Sequence, residues 1–129
     1  MSIFKRIRSL FSDGGSKDDR WRQVTSKERI DELIRRSAKK PQLFYKHSNR
    51  CGICSFTKAE LEGSEELARK TEMNFIDVIS SREISNQISR QLEIRHASPQ
   101  AIVLEDGKVV WSGSHGAIKS EEILKELED

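Results

Sequence analysis

The sequence predicts an α/β domain: a central mixed sheet of four to five strands flanked by helices, with a C-terminal β-hairpin and a final helix. Three observations carry this expectation. Segments with apolar residues at helical spacing alternate with short apolar runs of strand character, as in sheets whose strands are joined by helical crossovers. Near the end, Asp106-Gly107 separates two such runs and is a strong hairpin signal. The chain has 129 residues, enough for one domain and too few for two ordinary ones.

Residues 1–20 read as an amphipathic N-terminal segment and a linker. Ile3, Phe4, Ile7, Leu10 and Phe11 recur at helical spacing among Lys5, Arg6 and Arg8, and Ser12 to Asp19 is polar and glycine-containing. Residues 21–129 form the domain proper. Thr25 and Glu28 have capping-box spacing and open a helix bearing Ile30, Leu33 and Ile34, which Pro41 ends. Gln42 to His47 is a strand. Residues 53–70 are helical, with Gly63 the place for a bend or division. Met73 to Asp77 is the next strand. A second capping box at Ser80 and Glu83 opens a helix carrying Ile84, Ile88 and Leu92. Gln100–Leu104 and Val109–Ser112 make the hairpin, and Ser120 to Leu127 closes the chain as a helix. Right-handed crossovers make the early strands parallel.

Hydrophobic residues are 35% of the chain and charged residues 34%, a water-soluble profile. The net charge of +2 does not argue for nucleic acid, and no basic stripe interleaves Trp21 and Trp111 into a stacking surface. No apolar run approaches the roughly 18–20 residues of a membrane span. The beginning of the chain lacks the uninterrupted apolar stretch of a signal peptide. A cytoplasmic location without stable membrane insertion is therefore expected.

The chain's two cysteines stand three residues apart, in Cys51-Gly52-Ile53-Cys54. Secreted scaffolds spread their cysteines to close long loops, so this pair does not look like a staple. In disulfide exchange the nucleophile is the thiolate. A helix N-terminus favours negative charge through its unpaired N–H groups and dipole. Cys51 is expected there, between a strand and a helix, with Arg50 beside it adding positive potential. Cys51 is then the nucleophile, and Cys54, one turn along and less exposed, the resolving thiol. Half a zinc site is the competing reading, but only His47, His96 and His115 could complete it, and no pair of them has zinc-finger spacing. His47 reads as a strand-end structural histidine that could instead shuttle a proton, and Asp77 as a turn carboxylate that could instead influence Cys54.

Pro99 precedes a strand and a hairpin, and the cysteine pair falls at a strand-to-helix junction. That is the arrangement of thioredoxin-like folds, in which a cis-proline loop faces the cysteines and binds the substrate backbone. Ser98 and Pro99 would fill that role.

More specifically, Phe44-Tyr-Lys-His-Ser-Asn-Arg-Cys51, Arg95-His-Ala-Ser-Pro-Gln100 and Val109-Val-Trp-Ser-Gly-Ser-His115 resemble the thioredoxin-like family of bacillithiol-system redox-active proteins, the monothiol bacilliredoxins. The resemblance implies removal of low-molecular-weight thiols from S-thiolated proteins, with bacillithiol or a similar thiol as co-substrate rather than a bound cofactor. It also implies an external thiol or reductase as electron donor. Members commonly carry a single cysteine followed by x-x-Ser. Cys54 departs from that pattern and points to dithiol chemistry on protein disulfides. A non-catalytic module that docks partners at the cis-proline loop is the alternative from another functional class.

Overall fold

The computed structural model describes residues 20–127. The amphipathic segment and linker expected over residues 1–20 lie outside them, apart from Arg20.

The elements follow in order as β1 (Trp21–Gln23), α1 (Lys27–Arg36), β2 (Gln42–His47), α2 (Cys54–Glu62), α3 (Glu65–Lys70), β3 (Glu72–Asp77), α4 (Arg82–Leu92), β4 (Gln100–Glu105), β5 (Lys108–Ser114), a 3₁₀ turn at His115–Ala117 and α5 (Ser120–Glu126). They build one five-stranded sheet in the order β1-β3-β2-β4-β5. β1 and β2 run parallel to β3, whereas β4 is antiparallel to both β2 and β5. The mixed sheet, its helices, the hairpin and the closing helix are those the sequence predicts.

Side chains alternate across a strand, and β2 shows both faces in use. Leu43 and Tyr45 join Leu61, Leu67, Met73, Val103 and Ile123 in one core, under α2, α3 and α5. Phe44 joins Ile30, Leu33, Ile84, Ile88 and Ile102 in the other, under α1 and α4. All six residues of β2 are buried, as befits a central strand covered by helices on both faces.

Several local details differ from the sequence reading. β1 is a three-residue strand where only the start of the domain was expected; it pairs at the sheet edge with Met73, Asn74 and Phe75. Ser26, not Thr25, caps α1, accepting from the Arg29 N–H at 3.2 Å. The long helix expected over 53–70 divides at Gly63, and Ser64 starts the second piece by accepting from the Leu67 N–H at 3.1 Å. The side chain of Ser81 makes no cap bond at α4. The preceding turn is held instead by Asp77, whose Oδ1 accepts from the N–H groups of Ile79 and Ser80.

The hairpin turn has Asp106 at φ 55° and Gly107 at φ 77°, the two positive values that a type I′ turn needs. Its N–H groups reach across to α1: Asp106 donates to the Ser37 carbonyl and Gly107 to the Ser37 hydroxyl oxygen, each at 2.8 Å. The opposite end of β4 starts beside Pro99, and the Ser98–Pro99 peptide bond is cis.

Candidate functional site

β2 delivers the chain to the site. His47 ends the strand, and the His47 carbonyl accepts from the Val78 N–H at 2.9 Å, fixing the exit of β2 against that of β3. Ser48 then shapes the turn: its Oγ accepts from the Arg50 N–H and its carbonyl from the Cys51 N–H, both at 3.2 Å. The Cys51 carbonyl in turn accepts from the Cys54 N–H at 3.3 Å. α2 therefore begins at Cys54 rather than at Ile53, and Cys51 stands in the turn that leads into it.

Both cysteines are free thiols, Cys51 half-buried and Cys54 fully buried. Burial pushes the Cys54 thiol above its ordinary pKa, and its hydrogen bond with Cys51 pushes the same way. The Ser48 backbone and the Ser98 side chain pull it back in part. These contacts bring the first and second cysteines and Ser98 together. The Ser98 hydroxyl is buried and, apart from this approach to Cys54, has no hydrogen-bond partner. Pro99 is buried next to it, and its carbonyl accepts from the His115 N–H at 3.2 Å. Gln100 closes the same loop from within, donating from Nε2 to the Arg95 carbonyl at 2.8 Å. Arg50 is exposed at the rim.

Tyr45 is the site residue that sequence reasoning missed. Its hydroxyl lies 2.9 Å from the Cys54 carbonyl, 2.7 Å from Thr57 Oγ1 and 3.1 Å from His47 Nδ1. Burial raises the pKa of the phenol strongly, so it stays a neutral donor. The signal was available in principle: strand alternation puts Tyr45 and His47 on the α2 face. His47 is held below the usual histidine range by burial, with Lys58 contributing. It serves as a neutral strut for Tyr45, in line with the structural reading. Asp77 is occupied by its turn.

Beside the pair the surface carries exposed apolar side chains. Ile53 and Phe56 are 41% and 76% exposed, and they border a cleft of about 280 Å³ together with Thr57, Glu60, His115 and Ile118. Among the described residues no group of three or more His, Cys, Asp or Glu is placed to hold a metal ion. Likewise, among them no helix is long and apolar enough to cross a membrane.

Residues 22–123 match the family described as monothiol bacilliredoxin BrxC. The chain belongs to this bacilliredoxin family. Solved structures agree on the bacilliredoxin's fold. One protein with a thioredoxin fold is similar with a TM-score of 0.77 and 22% identity, over 88% of this chain and 98% of that one. Mitochondrial thioredoxin 3 from Saccharomyces cerevisiae gives 0.67 and 18%, over 88% and 100%. Fasciola hepatica thioredoxin gives 0.64 and 18%, over 81% and 93%. At these identities the likeness establishes the thioredoxin fold, and the bacilliredoxin family supplies a redox role in general terms. The family description is monothiol, whereas this bacilliredoxin has a second thiol at Cys54.

Proposed function

We propose that the protein is a thiol–disulfide oxidoreductase that removes low-molecular-weight thiols from S-thiolated proteins and reduces protein disulfides with the Cys51/Cys54 pair. The observation that carries this reading is the contact between the half-buried Cys51 thiol and the buried Cys54 thiol at the start of α2, beside Ser98 and cis-Pro99.

In the first step the Cys51 thiolate attacks the small-thiol sulfur of a protein mixed disulfide. A Cys51–small-thiol disulfide forms, and the protein sulfur leaves as a thiolate that takes up a proton. In the second step Cys54 gives up its proton and attacks the Cys51 sulfur. The Cys51–Cys54 disulfide forms, and the small thiol leaves and is protonated. The substrate protein gains two electrons and the cysteine pair loses two, which an external thiol or a reductase restores. The raised pKa of Cys54 keeps it protonated while Cys51 reacts, which orders the two steps. Ser98 and Pro99 line the approach, and Arg50 offers positive charge at the rim. Bacillithiol is the small thiol that family membership suggests, and a reducing cytoplasm is the setting in which such a pair would work.

Cys54→Ser tests the reading. Mass spectrometry of this variant from host cells should find a small thiol or a substrate protein attached to Cys51, and Cys51→Ser should lose exchange. Test disulfides reduced by Cys51→Ser at the parent rate would overturn the proposal. Multiple turnover by Cys54→Ser at the parent rate would overturn its dithiol part.

A further inference from the structure

Lys46 is fully buried in the central strand β2. Lysine is almost never fully buried without a paired charge, and an unpaired buried ion carries a large desolvation cost. The Lys46 ammonium donates to the Ser85 carbonyl at 3.0 Å, to Ser89 Oγ at 2.7 Å and to His96 Nδ1 at 3.1 Å. All three of its hydrogens are used, and every acceptor is neutral. Among the described residues no carboxylate lies within ion-pair distance of it.

An ammonium can only donate. His96 Nδ1 must therefore accept, and the ring hydrogen sits on Nε2. Partial burial of the ring against Lys46, with the charges of Lys46 and Arg82, holds His96 below the usual histidine range and keeps this tautomer neutral. His96 is itself exposed at a cleft of about 340 Å³, which Val78, Ile79, Arg82, Ser85 and Asn86 complete. The cleft wall thus offers an N–H of His96, the Arg82 guanidinium and the Asn86 amide, backed by the Lys46 charge. Of the nearby acids, Asp77 is occupied by the N–H groups of Ile79 and Ser80, and Glu83 borders the adjoining cleft with Thr25 and Ile84. A donor-rich wall with an uncompensated buried cation calls for an anion.

The chain joins the cleft to the thiol site. His96 and Ser98 are two residues apart, so their Cα atoms are at most about 7 Å from one another, and Ser98 approaches Cys54. We propose that this cleft is a carboxylate subsite that receives the acid group of the small thiol carried on Cys51. The subsite deepens the function proposed above and rests on it for the source of the carboxylate. The Lys46 ammonium polarises His96 from behind and gains in the bound carboxylate the counter-charge it lacks, while Arg82 and His96 contact the ligand.

The binding test uses Cys51→Ser protein, so that it does not depend on exchange. Titration with succinate at constant ionic strength should move the His96 ring resonances saturably. Succinamide, the neutral isostere, should not, and Arg82→Gln should abolish the response. Equal shifts with both compounds, or no saturable shift with succinate, would overturn the subsite. The kinetic test compares wild-type removal of 3-mercaptopropionate and of 2-mercaptoethanol from the same S-thiolated protein. The carboxylated conjugate should show a KM about tenfold lower, the scale of one charge-assisted contact, and Arg82→Gln should raise that KM toward the value of the other conjugate. Succinate binding without a KM preference would overturn the assignment to the small thiol. If neither conjugate is removed, the redox reading fails and the titration alone decides whether the cleft binds carboxylates.

Discussion

The Tyr45 hydroxyl lies 2.9 Å from the carbonyl oxygen of Cys54, so a strand residue from under the sheet's helical cover holds the first turn of the helix that begins at Cys54. Thr57 reaches the same carbonyl at 3.0 Å. Replacing Tyr45 with Phe keeps the ring packed against Trp21 and Phe75 and removes only the hydroxyl. The expected cost is about 1 kcal/mol of stability, measured by urea denaturation. In rapid-mixing experiments the second step, release of small thiol by Cys54, should slow more than the first. Equal slowing of both steps would mean that Tyr45 does not position Cys54 specifically.

Phe56 is too exposed to be a core residue and stands two positions from Cys54. Phe56→Ser should leave the melting temperature close to wild type, because little apolar burial is lost. It should raise KM several-fold for a protein disulfide and much less for a small one. The same change in KM for both substrates would argue against contact between Phe56 and substrate protein.

Glu72 accepts from Arg36 Nε at 2.8 Å and from Gln42 Nε2 at 2.7 Å. Its carboxyl is lowered from 4.5 to about 2, first by the Arg36 hydrogen bond and then by those of Gln42 and the charge of Arg22. A depressed carboxylate stabilises the fold fully above the unfolded value and loses that contribution as pH falls toward the folded one. With Arg36 half exposed, solvent screening limits the contribution to about 1 kcal/mol. Glu72→Gln should be less stable by that amount near neutrality, and the two proteins should converge between pH 4.5 and about 2. Parallel acid unfolding curves would contradict this.

Burial lowers Lys46 from 10.5 to about 8. Between these values the unfolded chain binds more protons than the folded one, so this residue makes stability rise with pH across that window. Lys46→Met removes the term. The stability of the Met variant relative to wild type should therefore fall from pH 8 to 10.5, by up to about 3 kcal/mol. The raised thiol of Cys54 and the raised phenol of Tyr45 act oppositely at high pH, but they are present in both proteins and cancel in the difference. A constant difference across the window would show that Lys46 titrates normally.

The parts legible in the sequence are those set by local pattern. Asp106-Gly107 makes the turn its residue types demand, and the apolar spacing of Ile84 and Ile88 places α4 on its core. The cysteine pair lies at the strand-to-helix junction, and Ser98–Pro99 lies beside it. The illegible parts depend on contacts between distant segments. β1 has only three residues, with one buried, too short for alternation to announce it; β3 makes it a strand. Lys46 is a charged residue within an apolar run, and nothing in its neighbours announces burial. Its burial follows from β2 being central, and its partner His96 is fifty residues away in sequence. The role of Tyr45 likewise needs α2 laid over β2 before it can be seen.

The two bonds from the hairpin tip to Ser37 bear on the far end of the same strand. β4 has six residues, a rod of roughly 20 Å, with the cis peptide at its start and the anchored tip at its finish. Pinned at one extremity to the C-terminus of α1 and laterally to β2, the rod has little freedom to slide or swing. The loop presenting Ser98 to the thiols therefore inherits its placement from a tether on the opposite side of the molecule, and loosening Ser37 would blur the alignment of a site it never touches.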